Sequence, residues 1–420
     1  MSKRDFWSAL IAANRAGARR GIPSWCTAHP QTLSAVLAAH RGSDEPILIE
    51  ATCNQVNQEG GYTGMTPAAF RSFVEGLAGQ AGVDRGRLIL GGDHLGPNPW
   101  KRLPAAQAMA RARDMVKAYV EAGFEKIHID ASMACADEQT VAEQTIAERG
   151  ADLCAAAEAA GPGGQRVYVI GTEVPIPGGE LAELDALAVT RPEAARRTVD
   201  LHRKAFAARG VEAAMDRVVA VVVQPGVDMG NTQVFGYDKD KAAALSDALA
   251  GIPGVVYEAH STDFQSETAL ADLVATHFAI LKVGPSLTFA FREAVVALAA
   301  IEERMGLPRP SGIVEALEQA MDADPQHWRG YVAAGADERL IRLYGLSDRI
   351  RYYWPHDKVQ AALGRLFANV DAARVPPGLV SQCVGDMLLD RPEPTLSARV
   401  VAAKVGAVVA RYRRASGAAA

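Results

Sequence analysis

The sequence predicts a (β/α)8 barrel followed by a helical extension. Eight short β-type runs alternate with longer Ala-rich segments, a pattern typical of parallel strands joined by crossover helices. These units occupy roughly 270 residues, which is the length of a (β/α)8 barrel, and the strand pattern stops after residue 303. We therefore expect a barrel with an N-terminal helix over 1–303 and a helical extension over 304–420. A doubly wound open sheet is the alternative for the first part.

The predicted elements follow in order from the amino terminus. Phe6, Leu10 and Ile11 recur at helical spacing between basic residues, which predicts an amphipathic first helix. Gly306, Pro308 and Pro310 interrupt the helical pattern and predict the linker to the extension. The segments between the strands are rich in Ala, Leu, Glu and Arg, which favour helices. The eight strand-like runs lie at 21–27, 46–52, 87–93, 126–130, 166–173, 217–224, 255–260 and 279–284.

Composition and charge limit the kinds of partner. The 420 residues are 49% hydrophobic and 22% charged, as in ordinary globular proteins. Lys and Arg number 44 against 49 Asp and Glu, without a long single-sign run, so neither nucleic acid nor a membrane surface is the expected partner. Five scattered cysteines without a C-x-x-C pair fit a reducing cytoplasm. We therefore expect a cytoplasmic protein that binds a small molecule.

The end of the third predicted strand carries an Asp93-His94 pair. In parallel barrels the functional groups lie at the carboxyl ends of the strands. An imidazole beside a carboxylate offers a metal ligand next to a proton acceptor, and Gly91 and Gly92 would let backbone approach a ligand. The alternative is a turn in which Asp93 binds loop amides and His94 lies on the surface.

A divalent ion needs at least three ligands, so further candidates are required. His260, after the seventh strand, is the second candidate; the alternative is a histidine held at the barrel rim. The third is Glu173, which is also a candidate base, or the side-chain oxygen of Gln224. Oxygen donors favour Zn, Mn, Co or Mg. His128 shares one side of the fourth strand with Asp130, and it is either site lining or a buried, hydrogen-bonded histidine.

Other strand ends predict a sugar-phosphate site. An amide-rich loop with Asn54 and Gln58 suits directional hydrogen bonds to sugar hydroxyls, although turn chemistry alone also explains it. Gly284, Ser286 and Thr288 precede a helix, where exposed amides would bind phosphate; a capped helix without an anion has the same sequence. The remaining candidates for substrate binding are Asp130, Ser132, Ser261, Asp263 and Lys282.

Five common catalytic signatures are missing from the sequence. It contains neither a G-x-x-x-x-G-K-[ST] loop nor a G-x-G-x-x-G after the first strand, and G-x-S-x-G, H-E-x-x-H and kinase catalytic-loop motifs are also missing. Nucleotide-dependent phosphoryl transfer, Rossmann redox chemistry and hydrolase chemistry therefore lose support. Metal-assisted carbonyl chemistry is favoured instead.

Several segments together resemble the GatZ/KbaZ family over nearly the whole chain, among them LIEATCNQVNQEGGYTGMTP, LGGDHLGPNPW, VYEAHSTDFQ, ILKVGPSLTFAFREA and SDRIRYYWPH. The resemblance implies the larger subunit associated with D-tagatose-1,6-bisphosphate aldolase, some relatives of which act alone as metal-dependent 4-epimerases of tagatose or its 6-phosphate. The family is similar to class II aldolases, zinc enzymes on (β/α)8 barrels. That similarity implies a proton-transferring Asp93 and the zinc ligands His94 and His260. The class II histidine after strand six has no counterpart here.

These observations predict a ketose-phosphate 4-epimerase that interconverts D-tagatose 6-phosphate and D-fructose 6-phosphate by retro-aldol cleavage and re-addition. A metal would polarise the C2 carbonyl while Asp93 or Glu173 removes the C4 hydroxyl proton. The alternative is a non-catalytic or stabilising subunit of D-tagatose-1,6-bisphosphate aldolase, bound to a separate aldolase subunit. The oligomeric state is open, with a homo-oligomer as one option. The RYYWPH segment, with Arg349 and Arg351, closes over the barrel mouth or binds phosphate; the alternative is that it packs the extension onto the barrel.

Overall fold

Eight parallel strands close into a barrel in the computed structural model, which describes residues 3–161, 164, 166–172, 187–333 and 335–417. The first and last barrel strands pair directly, with Ile22 beside Ile280, so the predicted barrel is confirmed and the open sheet is excluded. The barrel strands are β1 (Ile22–Cys26), β2 (Ile47–Thr52), β3 (Leu88–Leu95), β4 (Lys126–Ile129), β5 (Val167–Ile170), β6 (Val218–Val223), β9 (Val256–Ala259) and β10 (Phe278–Val283). Between β6 and β9, the short strands β7 (Asp228–Met229) and β8 (Val234–Phe235) form an antiparallel pair.

Helices cover the outside of the barrel and build the extension. Several begin where a side chain accepts an orphan amide, as Thr66 does from Ala69 and Ser266 from Ala269. The helices of the barrel region are α1 (Lys3–Arg15), α2 (Pro30–Ala38), α3 (Pro67–Ala81), α4 (Ala105–Glu121), α5 (Glu143–Ala159), α6 (Pro192–Ala208), α7 (Lys239–Ala248), α8 (Glu267–Ala275) and α9 (Pro285–Arg304). Those of the extension are α10 (Ile313–Ala323), α11 (Glu338–Tyr344), α12 (Asp357–Ala372), α13 (Pro377–Val384) and α14 (Leu396–Ala415). Within the described residues, no helix is both long and apolar enough to cross a membrane.

Helix α1 fills the amino-terminal end of the barrel. Its apolar face, with Phe6, Trp7 and Leu10, packs against interior side chains near the strand starts, such as Leu48 and Ile89. Burial of these side chains removes apolar surface from water, which stabilises the fold by about 25 cal/mol for each Å² buried. Beyond this apolar layer, the buried polar side chains Glu50, Asp93 and Lys282 lie in the second half of their strands.

The extension packs onto the barrel through one continuous apolar core. Helix α14 contacts α2, α8 and α9, and α12 also packs against α9. The Tyr412 hydroxyl donates to the backbone oxygen of Thr262 at 2.6 Å, just after β9. The backbone amide of Gly21, before β1, donates to the oxygen of Ser416 at 3.0 Å. The division into domains at 303/304 stays a prediction, since α9 ends at Arg304 and its apolar face belongs to both parts.

Candidate metal and sugar-phosphate site

A cavity of about 350 Å³ lies at the carboxyl ends of the strands. Small-molecule sites in proteins commonly measure roughly 300–1,000 Å³, so this cavity, called the mouth cavity below, fits a sugar-sized ligand. The barrel side of its lining includes Asp93, His94, His260 and Lys282. The helical extension supplies the rest of the wall, with Arg351, Tyr352, Trp354, Pro355 and Gln360.

Four buried side chains, called the histidine cluster below, could hold a metal ion. Asp93, His94, His128 and His260 each offer a ligand atom, and these atoms lie within 4.8 Å of one another. Three imidazoles and a carboxylate are the donor set that zinc and related divalent ions prefer. The Nε2 atom of His128 is buried without a hydrogen-bond partner, which a coordinated cation would satisfy. The residues present therefore fit a divalent cation.

Each imidazole of the cluster is held by one ring nitrogen, which leaves the other nitrogen for a ligand. Such carboxylate–histidine pairs orient metal ligands in many proteins and raise their basicity. The pairs are His94 Nδ1 with Asp130 Oδ2 at 2.8 Å, His128 Nδ1 with Asp93 Oδ1 at 2.8 Å, and His260 Nε2 with Glu258 Oε1 at 3.0 Å.

An unusual backbone conformation places Asp93 and His94 together in the cavity. Successive side chains of a strand point to opposite faces, so neighbours cannot both point inward in regular β structure. His94 has a φ of 51°, in the left-handed region, and this local turn brings both side chains to the cavity lining. Such strain costs on the order of 1–3 kcal/mol and is typical of functional sites. A Cβ at Gly96 would lie 1.6 Å from the backbone oxygen of Asp130, so only glycine permits this approach.

A buried ionic network supports the cluster from within the barrel. Lys126 Nζ lies 2.6 Å from Glu50 Oε1 and 2.7 Å from Glu258 Oε2, and all three side chains are fully buried. Lys282 Nζ pairs with Glu50 and lies 2.9 Å from Asp93 Oδ1. Burial alone would lower the pKa of Lys282, but Asp93 and the other carboxylates hold it well above its ordinary value. Burial would likewise raise the pKa of Asp93, but the ammonium of Lys282 holds this pKa well below its ordinary value. Lys282 is therefore an ammonium and Asp93 a carboxylate.

Carboxylates outnumber ammonium groups in this interior. Four carboxylates (Glu50, Asp93, Asp130 and Glu258) face two ammonium groups (Lys126 and Lys282), so these six groups together carry a net charge of −2, or 2 − 4. Burial lowers the pKa of His260 to about 3, so its imidazole is neutral and available as a ligand. Burial would also lower the pKa of His94, but Asp93 and Asp130 raise it above its ordinary value. A divalent cation in the cluster would balance the charge of these six groups.

Most of the predicted substrate-binding residues meet in the mouth cavity. Those that line it are Asn54, Ser261, Asp263, Lys282, Gly284 and Thr288. The amides at the start of α9, however, already have an acceptor, because Asp263 Oδ1 receives hydrogen bonds from Gly284 N at 3.0 Å and Ser286 N at 2.8 Å. The sequence predicts these amides as phosphate ligands, whereas in the structure they bind the Asp263 carboxylate.

Other predicted residues lie away from the cavity or outside the described residues. Gln224 Oε1 caps its own turn by accepting from Gly226 N at 2.8 Å and Val227 N at 3.0 Å, and Gln224 does not line the cavity. Gln58 Nε2 donates to the backbone oxygen of Arg111 at 3.1 Å. Ser132 donates to Asp130 Oδ1 at 2.6 Å and so positions the carboxylate that holds His94. Glu173 lies outside the described residues.

The sequence left open whether the extension reaches the cavity, and in the structure it does. Arg351 and Tyr352 line it, although packing also accounts for the fully buried Tyr353 and Trp354 of the same RYYWPH segment. Burial would raise the pKa of Tyr352, but the neighbouring guanidinium of Arg351 and a second arginine lower it to about 8. The signal available in the sequence was the density of cationic and aromatic residues in that segment.

A closed (β/α)8 barrel whose mouth joins a metal-compatible histidine cluster to a sugar-sized cavity defines a barrel protein of small-molecule metabolism. Within that class, the chain belongs to the D-tagatose-1,6-bisphosphate aldolase subunit GatZ/KbaZ-like family, whose model matches residues 7–417. The predicted family is thus confirmed.

Individual relatives agree with this family. The chain is 49% identical over 379 residues to the D-tagatose-1,6-bisphosphate aldolase subunit GatZ of Escherichia coli O1:K1 / APEC, covering 89% of this chain and 90% of the relative. It is 50% identical over the same length to the GatZ subunit of Shigella boydii serotype 18. A solved structure described as a probable tagatose 6 phosphate kinase from Sinorhizobium meliloti 1021 is 46% identical, with a TM-score of 0.86, and covers 94% of this chain and 100% of its own.

Proposed function

We propose that the chain is a GatZ-type subunit of a D-tagatose-1,6-bisphosphate aldolase and works in carbohydrate metabolism with a separate aldolase subunit. The observation that carries the proposal is its identity of about half to subunits of that name over nearly their whole length. The mouth cavity is consistent with it, because a sugar-sized site with cations and polar groups suits a ketose phosphate.

The proposal is tested by adding the purified chain to the aldolase subunit of the same organism. We expect the two proteins to co-elute in size-exclusion chromatography, and the cleavage of D-tagatose 1,6-bisphosphate to become faster or longer-lived. An equal amount of serum albumin controls for protein crowding. Failure to co-elute, together with an unchanged cleavage rate and lifetime, would contradict the proposal.

The histidine cluster favours a second candidate function, 4-epimerisation of a ketose phosphate by the isolated chain. A purely stabilising subunit would not require three oriented imidazoles beside an ionised Asp93. In this reaction Asp93 would accept the proton of the C4 hydroxyl while the C3–C4 bond breaks and leaves its electron pair on C3. The released aldehyde would then turn over and re-add through its other face, and Asp93 would return the proton.

His94, His128 and His260 would hold the cation of such an epimerase. A divalent ion bound there supplies Lewis-acid stabilisation of the C2 oxygen, and three imidazoles favour Zn, Mn or Co over Mg. Lys282 would keep Asp93 in the carboxylate form that accepts the proton.

The epimerase is tested with the isolated chain, D-tagatose 6-phosphate and added Zn or Mn. We expect D-fructose 6-phosphate to form, to disappear with a chelator, and to fall at least roughly 100-fold in Asp93→Asn. Asp200→Asn, on the exposed face of α6, is the matched control. If wild-type protein forms no product while it still stimulates the aldolase subunit, the chain is a catalytically silent subunit.

We also propose that the chain works in the cytoplasm. All five cysteines are free thiols, and three of them are buried in the apolar core. Proteins of oxidising compartments commonly pair such residues. Fractionation of cells with an antibody against the chain tests the compartment.

A further inference from the structure

The guanidinium of Arg351 lines the mouth cavity, and its hydrogen-bond acceptors in the described part of the chain are uncharged. It donates to the backbone oxygens of Ser347 and Asp348 and, at 3.2 Å, to the Tyr352 hydroxyl. Among the residues that the structure describes, no carboxylate oxygen lies within 4 Å of it. Arg351 is half-buried, and a cation partly withdrawn from water is costly unless an anion completes its environment.

Two carboxylates, Asp348 and Asp263, are near enough to interact electrostatically with Arg351, but each has other partners. Asp348 lies 3.2 Å from the guanidinium of Arg292, and both side chains are buried. The Asp263 carboxylate accepts hydrogen bonds from the amides at the start of α9. Neither carboxylate group pairs with Arg351, so the described residues supply its guanidinium with backbone and phenol dipoles rather than with a counter-ion.

The surroundings hold Arg351 in place before any ligand arrives. Its side chain lies over the Tyr352 ring, with Cζ 4.7 Å from the centroid. That ring stacks on His327, with centroids 4.5 Å apart and an interplanar angle of 3°, and it contacts Tyr62 at 4.7 Å. A cation fixed in this way loses little entropy when it binds an anion.

We propose that Arg351 binds the phosphate of the ligand and makes the mouth cavity selective for phosphorylated over free ketoses. The inference rests on the proposed function and adds to it the part of the ligand that the extension recognises. The cavity combines imidazoles suited to a cation that binds carbonyl and hydroxyl oxygens with a guanidinium suited to a phosphate. A ketose phosphate carries both kinds of group, whereas a free ketose leaves the charge of Arg351 unbalanced.

The test measures equilibrium binding, which needs neither turnover nor the partner subunit. D-tagatose 6-phosphate and D-tagatose are titrated by calorimetry into wild-type chain, Arg351→Gln and Arg351→Lys. We expect wild type to bind the phosphorylated sugar at least roughly tenfold more tightly. Arg351→Gln should lose roughly 10- to 100-fold in affinity for it and less than about twofold for the free sugar. Arg351→Lys should recover part of the loss, because the charge returns without the planar fork.

Two controls separate this role from a structural one. Arg329→Gln removes an exposed arginine of the extension that does not line the cavity, and it should leave both affinities unchanged. Inorganic phosphate should compete with D-tagatose 6-phosphate in wild type and not in Arg351→Gln. Thermal melting should show that Arg351→Gln is folded.

Three results would overturn the inference. They are equal binding of the two sugars to wild type, no detectable binding of either, and an equal loss for both sugars in Arg351→Gln. A chain that stimulates the aldolase subunit but gives any of these results would refute the role of Arg351 alone. A chain that discriminates between the sugars through Arg351 but leaves the aldolase subunit unchanged would refute the proposed subunit role alone.

Discussion

Replacing Lys126 with methionine should strongly destabilise the fold, because this ammonium bridges two buried carboxylates. Lys126 Nζ lies 2.6 Å from Glu50 and 2.7 Å from Glu258, with no solvent exposure of any of the three side chains. Methionine keeps much of the length of the lysine side chain and removes its charge. Lys282 would then be the remaining ammonium near both carboxylates. Removing one partner of a buried ion pair costs about 3 to 5 kcal/mol, and we expect the free energy of unfolding to fall by that amount.

The prediction is checked by urea titration monitored by circular dichroism. The double variant Lys126→Met/Glu258→Gln removes one orphaned carboxylate along with the ammonium, so it should be less destabilised than the sum of its two single variants. A coupling free energy of about 0.5 to 3 kcal/mol is expected for groups in one ionic network. Lys117→Met, at an exposed pair with Asp114, is the matched control and should change stability by less than about 1 kcal/mol. A loss below about 1 kcal/mol for Lys126→Met, or strict additivity in the cycle, would refute the reasoning.

The other predictions concern the cluster, the glycine beside it and the extension. His94→Ala should lower the divalent metal retained after gel filtration from about one ion per chain to nearly none, measured by plasma mass spectrometry. Gly96→Ala should cost at least about 1 to 3 kcal/mol in urea titrations, because its Cβ would meet the oxygen of Asp130 at 1.6 Å; a neutral result contradicts this. With a pKa of about 8, Tyr352 should give a tyrosinate absorbance step near pH 8 that Tyr352→Phe lacks and that moves to higher pH in Arg351→Gln. Because this pKa is depressed, the ionised phenolate adds stability that is complete above about pH 10 and is lost as pH falls through 8, so the stability advantage of wild type over Tyr352→Phe should shrink over that range.

The strands could be predicted from the sequence because parallel strands buried on both faces consist largely of apolar residues. Strand β6, VVAVVV, is buried along its whole length and lies within the predicted run at 217–224. The ends of such strands then indicated that Asp93, His94 and His260 would meet. Local patterns were sufficient here because the barrel gathers the carboxyl ends of all its strands at one face.

The partners of these groups could not be predicted, because they come from distant parts of the chain. Glu50 and Lys282 pair across 232 positions, and a lone glutamate or lysine in a strand carries no signal of its partner. The sequence could not decide whether an anion or a side chain would occupy the amides before α9, and in the structure Asp263 occupies them. The approach of Arg351 to the cavity depends on how the extension folds back, which no local spacing encodes.

The position of α14 has a consequence for how the chain is made. The seam where β1 meets β10 is flanked by α2, α8 and α9, and α14 packs against all three. On the ribosome every barrel strand is therefore synthesised before the helix that covers this seam. Until then the apolar faces of α2 and α9 are exposed, and chaperones or other nascent chains can bind them. A stop codon just before Leu396 would spare every residue of the histidine cluster, yet we expect its product to aggregate or be degraded.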